Sequence, residues 1–233
     1  MTRNSCFARA FTLIEMAVVL AVIAIMMAFV YPAYIGMSVR AKATKDMSNL
    51  RQLGIATQTY MNDKDGVFPG SAAGPTPVPW MSELNPKYVS AWRVLESPFD
   101  IRPTSEQGGA NAMISYGINS NVYSGGAAIS AEKITKPATF IVFAPAQKSG
   151  PAVSFQGVGN SPAPGVNLVA AGNVVTSSPG GVPAGGTHNS RTKINAMCAD
   201  WHIETMAWSG SGPAFTNTTA TGTDPDGANR WNP

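Results

Sequence analysis

Cysteine is scarce in this 233-residue chain: only Cys6 and Cys198 occur, and Cys6 lies ahead of the one long apolar run. If that leading segment is removed, a single thiol remains and no intrachain disulfide can form. Charged residues are also few, at 12%, which leaves little material for solvated helical faces. There is no basic surplus to attract nucleic acid or acidic lipid. Arg3 and Arg9 fall in the first ten residues, and beyond them 14 basic side chains face 13 acidic ones. A Walker-type phosphate loop, a G-x-S-x-G elbow and an H-E-x-x-H zinc motif are all missing, so an enzyme reading has no motif to rest on.

Glycine (23) and proline (18) are plentiful, which predicts much loop and turn. The length suits one ordinary domain with an appendage rather than two domains with separate cores.

The appendage is easily placed. Met16 to Ile35 holds twenty residues without a charge, and a helix of that length covers roughly 30 Å, enough to span a bilayer. Arg3 and Arg9 precede it, which keeps the N-terminus on the cytoplasmic side and exports the rest. A secretory signal would put a small-residue cleavage site after the run. Instead the chain continues as GMSVRAKATKDMSNLRQLG, with no A-x-A site and a persisting helical pattern. Glu15 stands at the membrane edge of this apolar helix, where an unpaired charge is costly and marks a function.

The stretch RAFTLIEMAVVLAVIAI resembles the class III signal of type IV pilins and of the pseudopilins of type II secretion systems. The resemblance implies that a prepilin peptidase cuts between Ala10 and Phe11 and that the new Phe11 amine is methylated. Glu15 and Pro32 then stand at the spacings from the cut that the family expects. Ala10 occupies the place where the family usually has Gly. In such an assembly the cationic Phe11 amine of one subunit pairs with Glu15 of its neighbour, offsetting two desolvation penalties at once. Pro32 removes one helical hydrogen bond, which predicts a kink or local melting. An ordinary signal-anchor helix with an incidental Glu and Pro is the plainer alternative.

From Ser38 to Asn62 the positions Val39, Ala43, Met47, Leu50, Leu53, Gly54, Thr57 and Met61 recur at steps of three and four, predicting an amphipathic helix that continues the membrane segment. Its exposed face is expected to carry Arg40, Lys42, Lys45, Asp46 and Arg51. The helix should stop near Asp63, where DKDGVFPG combines Gly66, Pro69 and Gly70. A stripe of this kind must pack on something downstream, most naturally an antiparallel sheet.

The expected fold is therefore α+β and pilin-like. A long N-terminal helix, half membrane-spanning and half amphipathic, packs on a small antiparallel sheet head with long loops. Residues 1–10 would be a leader, 11–64 the transmembrane and stem helix, and 65–233 a periplasmic or extracellular head.

Within the head, short helices are expected at Trp80–Leu84 and Trp92–Leu95. Strands are expected at Ile114–Asn119 and Ala138–Ala146, and KINAMCA and HIETMAW should form a hairpin at Asp200. Gly150–Gly186 reads as surface loops or short strands with little core of its own. The pieces ESPFD, SYGIN and HNSRTKINAMCADWHI also resemble prepilin-type proteins marked by His, nine residues, then Asp-Gly. Here eleven residues separate His188 from Asp200, and Trp201 replaces the glycine, which leaves the turn type open.

His188, Cys198, Asp200 and His202 suit a metal site or a Cys-His nucleophile pair by residue type. Their spacing favours neither, and a tight turn would bring Cys198 and His202 close for structural reasons alone. Near the C-terminus Asp224 and Asp226 precede Gly227, as oxygen ligands do in calcium loops, without the full EF-hand pattern. Major pseudopilins bind calcium in a C-terminal loop, so the resemblance implies calcium there; a plain acidic turn is the other reading.

The partners implied are further copies in a filament, other pseudopilins, the prepilin peptidase and an inner-membrane assembly platform, with the membrane itself and no nucleic acid. A type IV pilin of an extracellular fibre shares every N-terminal feature. Many such pilins close a C-terminal disulfide loop, which a chain left with Cys198 alone lacks. An uncleaved membrane-anchored protein with a ligand-binding head, its surface formed by the Gly-rich region and aromatics such as Trp208 and Trp231, is the reading from another class.

Overall fold

A computed structural model describes residues 12–70, 79–100, 113–124, 126–149, 154–155, 193–208 and 215–216. The elements are α1 (Leu13–Asp63), α2 (Trp80–Leu84), β1 (Met113–Asn119), β2 (Tyr123–Ser124), β3 (Ala127–Ala128), β4 (Ile141–Ser149), β5 (Ser154–Phe155), β6 (Lys193–Cys198), β7 (Ile203–Trp208) and β8 (Phe215–Thr216), with a 3-10 turn at Trp92–Leu95. The chain is α+β: a long N-terminal apolar helix and a small, mainly antiparallel sheet. It divides into two compact units, Met1–Ala41 and Lys42–Pro233.

In the first unit the large apolar side chains of α1, from Leu13 to Met37, are exposed. The helix passes through Pro32 without interruption, so the local melting expected there does not occur. The lost bond and the ring clash together cost about 3 kcal/mol, and the helix that runs on from Leu13 to Asp63 carries the turn.

In the second unit α1 ends where expected. Asp65 and Gly66 adopt positive φ of 52° and 76°, and the Gly66 amide donates to the Met61 carbonyl at 2.8 Å, the six-to-one bond of a Schellman stop. Beyond it, Tyr60 donates its hydroxyl to Glu83 and the Gly70 amide donates to the same carboxylate. A Cβ on Gly70, whose φ is +92°, would meet the Tyr123 hydroxyl at 2.7 Å, so a side chain has no room there.

The sheet order is β5-β1-β4-β6-β7-β8, antiparallel except for the two-residue β5 beside β1. β4 begins three residues later than expected, because Thr139 and Phe140 turn back to the Lys136 carbonyl first. Leu50, Leu53, Ala56, Tyr60 and Met61 of α1 join Trp80, Leu84, Leu95, Tyr116, Phe143 and Met197 in one buried cluster. Gly54 completes this contact: a Cβ there would come within 2.8 Å of Met197 Sδ and 3.4 Å of Trp201 Cε3.

One expectation for this helix fails. Asp46, assigned to the solvated face with its basic neighbours, is fully buried. It stands four residues before Leu50, in line with the stripe, and its carboxyl group is satisfied by the fold. Oδ1 accepts from Ser97 Oγ and from the Tyr116 hydroxyl, both at 2.6 Å. Oδ2 accepts from Asn195 Nδ2 at 2.9 Å. A buried polar group is tolerable only with such partners. Asn49 adds a bond from Nδ2 to the Glu96 carbonyl at 2.8 Å.

Asp46→Ala would orphan these donors and should lower the unfolding free energy by about 2–4 kcal/mol, read from urea unfolding of the full chain in detergent. Burial, and then Asp46 beside it, push the Tyr116 phenol well above its usual range. The folded chain therefore holds a proton that the unfolded chain releases near pH ~10. This stability is complete below that pH and is lost as pH rises through it. Above pH ~10, wild type should lose about 1.4 kcal/mol per pH unit more than Tyr116→Phe; Tyr60 and Tyr123, also shifted upward, act equally in both proteins.

Candidate functional site

The start of α1 is built by Thr12 and Glu15. The Glu15 amide donates to Thr12 Oγ1 at 3.3 Å, while Glu15 Oε2 accepts from the Thr12 amide at 2.8 Å and from the Thr12 hydroxyl at 2.7 Å. This is a capping box, two orphan amides satisfied reciprocally. The Thr-x-x-Glu spacing was available in the sequence, yet reading Glu15 solely as an intersubunit partner passes over it. A carboxylate at this end also complements the helix dipole.

Behind the cap the helix presents no charged side chain from Met16 through Ile35, and it is long and apolar enough to cross a membrane. Pro32 lies within that surface.

Ala10 and Phe11 lie outside the described residues, as do His188, Asp224, Asp226, Trp231 and all of Gly150–Gly186 except 154–155.

The β6–β7 hairpin forms where expected, with Met197 opposite Ile203 and Ala196 opposite Glu204. Trp201 donates its amide to the Cys198 carbonyl and Cys198 donates to the His202 carbonyl, both at 3.0 Å. Trp201 itself adopts φ 70°, the position of a bulge residue after a three-residue loop, where Gly is usual. The indole packs against the core, and this burial offsets a left-handed cost of roughly 1–2 kcal/mol.

Asp200 Oδ1 lies 2.5 Å from His202 Nδ1 and accepts the His202 amide at 3.2 Å. The turn brings Cys198 and His202 together, with Glu204, a residue the sequence reading did not single out, as third member; their ligand atoms lie within 4.8 Å of one another. Once the hairpin is placed at Asp200, the two-residue alternation of a strand puts all three on one face.

Residues 7–31 match the family model of the prokaryotic N-terminal methylation motif. The chain carries a prepilin-type N-terminus. The match covers Ala10 and Phe11, the Thr12–Glu15 cap and most of the apolar run, and it supports a type IV pilin-like protein anchored in a membrane. Such a motif belongs to pilin-like structural proteins rather than to an enzyme family. No curated protein and no solved structure matches the chain.

Thr12→Ala should fray the first turn at a cost of about 1 kcal/mol, seen as faster amide exchange at residues 13–15 in detergent micelles, with the head unaffected.

Proposed function

We propose that this pilin-like chain is a pseudopilin precursor of a type II secretion system. It is cleaved between Ala10 and Phe11, methylated at the new amine, and polymerised through its N-terminal helix into a filament that supports protein export. The observation carrying this reading is the methylation motif at residues 7–31 on a helix whose apolar side chains are exposed from Leu13 to Met37. Such a surface calls for lipid before assembly and neighbouring helices afterwards. One thiol after cleavage favours the pseudopilus over pilins closed by a disulfide loop.

In the filament the Phe11 amine of one subunit meets Glu15 of the next. Glu15 Oε2 already serves the Thr12 cap, and Oε1 is the oxygen that remains for the neighbour. Leaving a desolvated amine unpaired costs about 3–5 kcal/mol, enough to block assembly. Arg3 and Arg9 hold the leader in the cytoplasm, so the head faces the periplasm.

Intact mass of the protein from membranes of a host with a prepilin peptidase should correspond to a chain beginning at methylated Phe11. A chain beginning at Met1 or Thr2 would instead indicate a signal anchor. Glu15→Ala should be cleaved normally and yield almost no filament. Glu15→Gln separates cap from charge, since Gln serves a capping box as well as Glu does. It should fail like Glu15→Ala, and wild-type filament yield from it would sink the charge pairing.

A further inference from the structure

The hairpin at Asp200 gathers a donor set that pilus assembly does not use. Antiparallel register sets Glu204 directly opposite Ala196. Cys198 follows Ala196 by two residues and His202 precedes Glu204 by two, so all three side chains leave the same face of the sheet. Helix α1 packs on the other face, against Met197 and Asn195. Cys198 is buried, Glu204 is half-buried and His202 is exposed. Sulfur therefore lies beneath, and nitrogen and oxygen sit nearer the solvent.

We propose that Cys198 Sγ, His202 Nε2 and a Glu204 carboxylate oxygen form a zinc-class metal site. Three lines of chemistry support the choice of ion. One thiolate, one imidazole and one carboxylate make a borderline donor set that suits Zn²⁺ and not Ca²⁺ or Mg²⁺, which take oxygen alone. The ligand atoms lie within 4.8 Å of one another, against about 3.3–3.8 Å in a tetrahedral site with bonds of roughly 2.0–2.3 Å. Side-chain shifts of about 1–1.5 Å close that gap. Finally, Asp200 Oδ1 holds His202 Nδ1 at 2.5 Å, which leaves Nε2 as the ring nitrogen for the metal, the carboxylate–histidine arrangement that supports metal-bound imidazoles. Water completes the coordination. Binding displaces the Cys198 thiol proton and ties the two strands across the turn.

The test uses the full chain in detergent with Cys6→Ser, so that Cys198 is the one thiol, and titrates Co²⁺ as a probe. One equivalent should produce a thiolate-to-cobalt charge-transfer band with intense tetrahedral visible bands, bleached by one equivalent of Zn²⁺. His202→Ala and Glu204→Gln lie at the rim and leave the core intact. Each should weaken binding by about 100-fold, and Asp200→Asn by roughly tenfold. Absence of the charge-transfer band at stoichiometric Co²⁺ would overturn the proposal. So would a band that persists unchanged in both His202→Ala and Glu204→Gln, since the ion would then be held by sulfur alone.

Discussion

Asp46 is the point on which the second unit is organised. Its carboxyl group, on α1 and without exposure, accepts from Ser97 after the 3-10 turn, Tyr116 of β1 and Asn195 of β6. These partners come from three separate stretches of chain, and each must arrive for the group to be satisfied. Apolar packing around Leu50 and Leu53 would tolerate small rotations of the helix. Three directed bonds to one buried group do not, because a partly satisfied polar cluster costs more than none. The knot thus fixes which face of α1 meets the sheet, and with it the seat of Gly54 beneath Met197 and Trp201.

The first unit is governed by the opposite condition. From Leu13 to Met37 nothing among the described residues covers the large apolar side chains, and apart from the bond lost at Pro32 the backbone satisfies itself within the helix, as a membrane span requires. Where the helix begins, Thr12 and Glu15 supply the bonds that the first turn lacks. Glu15 therefore serves its own helix. The proposed intersubunit contact is compatible with this cap because a carboxylate has two oxygens.

The β6–β7 hairpin depends on the same seating. Trp201 holds a backbone conformation that an indole would not choose alone, and it is held there by packing against the core that Asp46 aligns. Its turn sets the register, and the register brings Cys198, His202 and Glu204 to one face. An altered turn would shift β7 and scatter that donor set.

Where chemistry was local, the residues alone determined the outcome. The membrane-length run, the prepilin-type signal, the helix stop after Asp63 and the hairpin at Asp200 each follow from neighbours a few positions apart. The Thr12–Glu15 cap was equally legible by its spacing. Asp46 was not, because lysines beside it suggest a solvated face, while its partners stand 51, 70 and 149 positions away. Its four-residue step to Leu50 was the available hint. Likewise Trp201, standing in the place of a turn glycine, left the turn type open, and Glu204 gave no sign of a role, until the sheet fixed their surroundings. Only tertiary structure decides whether a polar side chain is buried, since burial depends on distant partners that can repay its lost water.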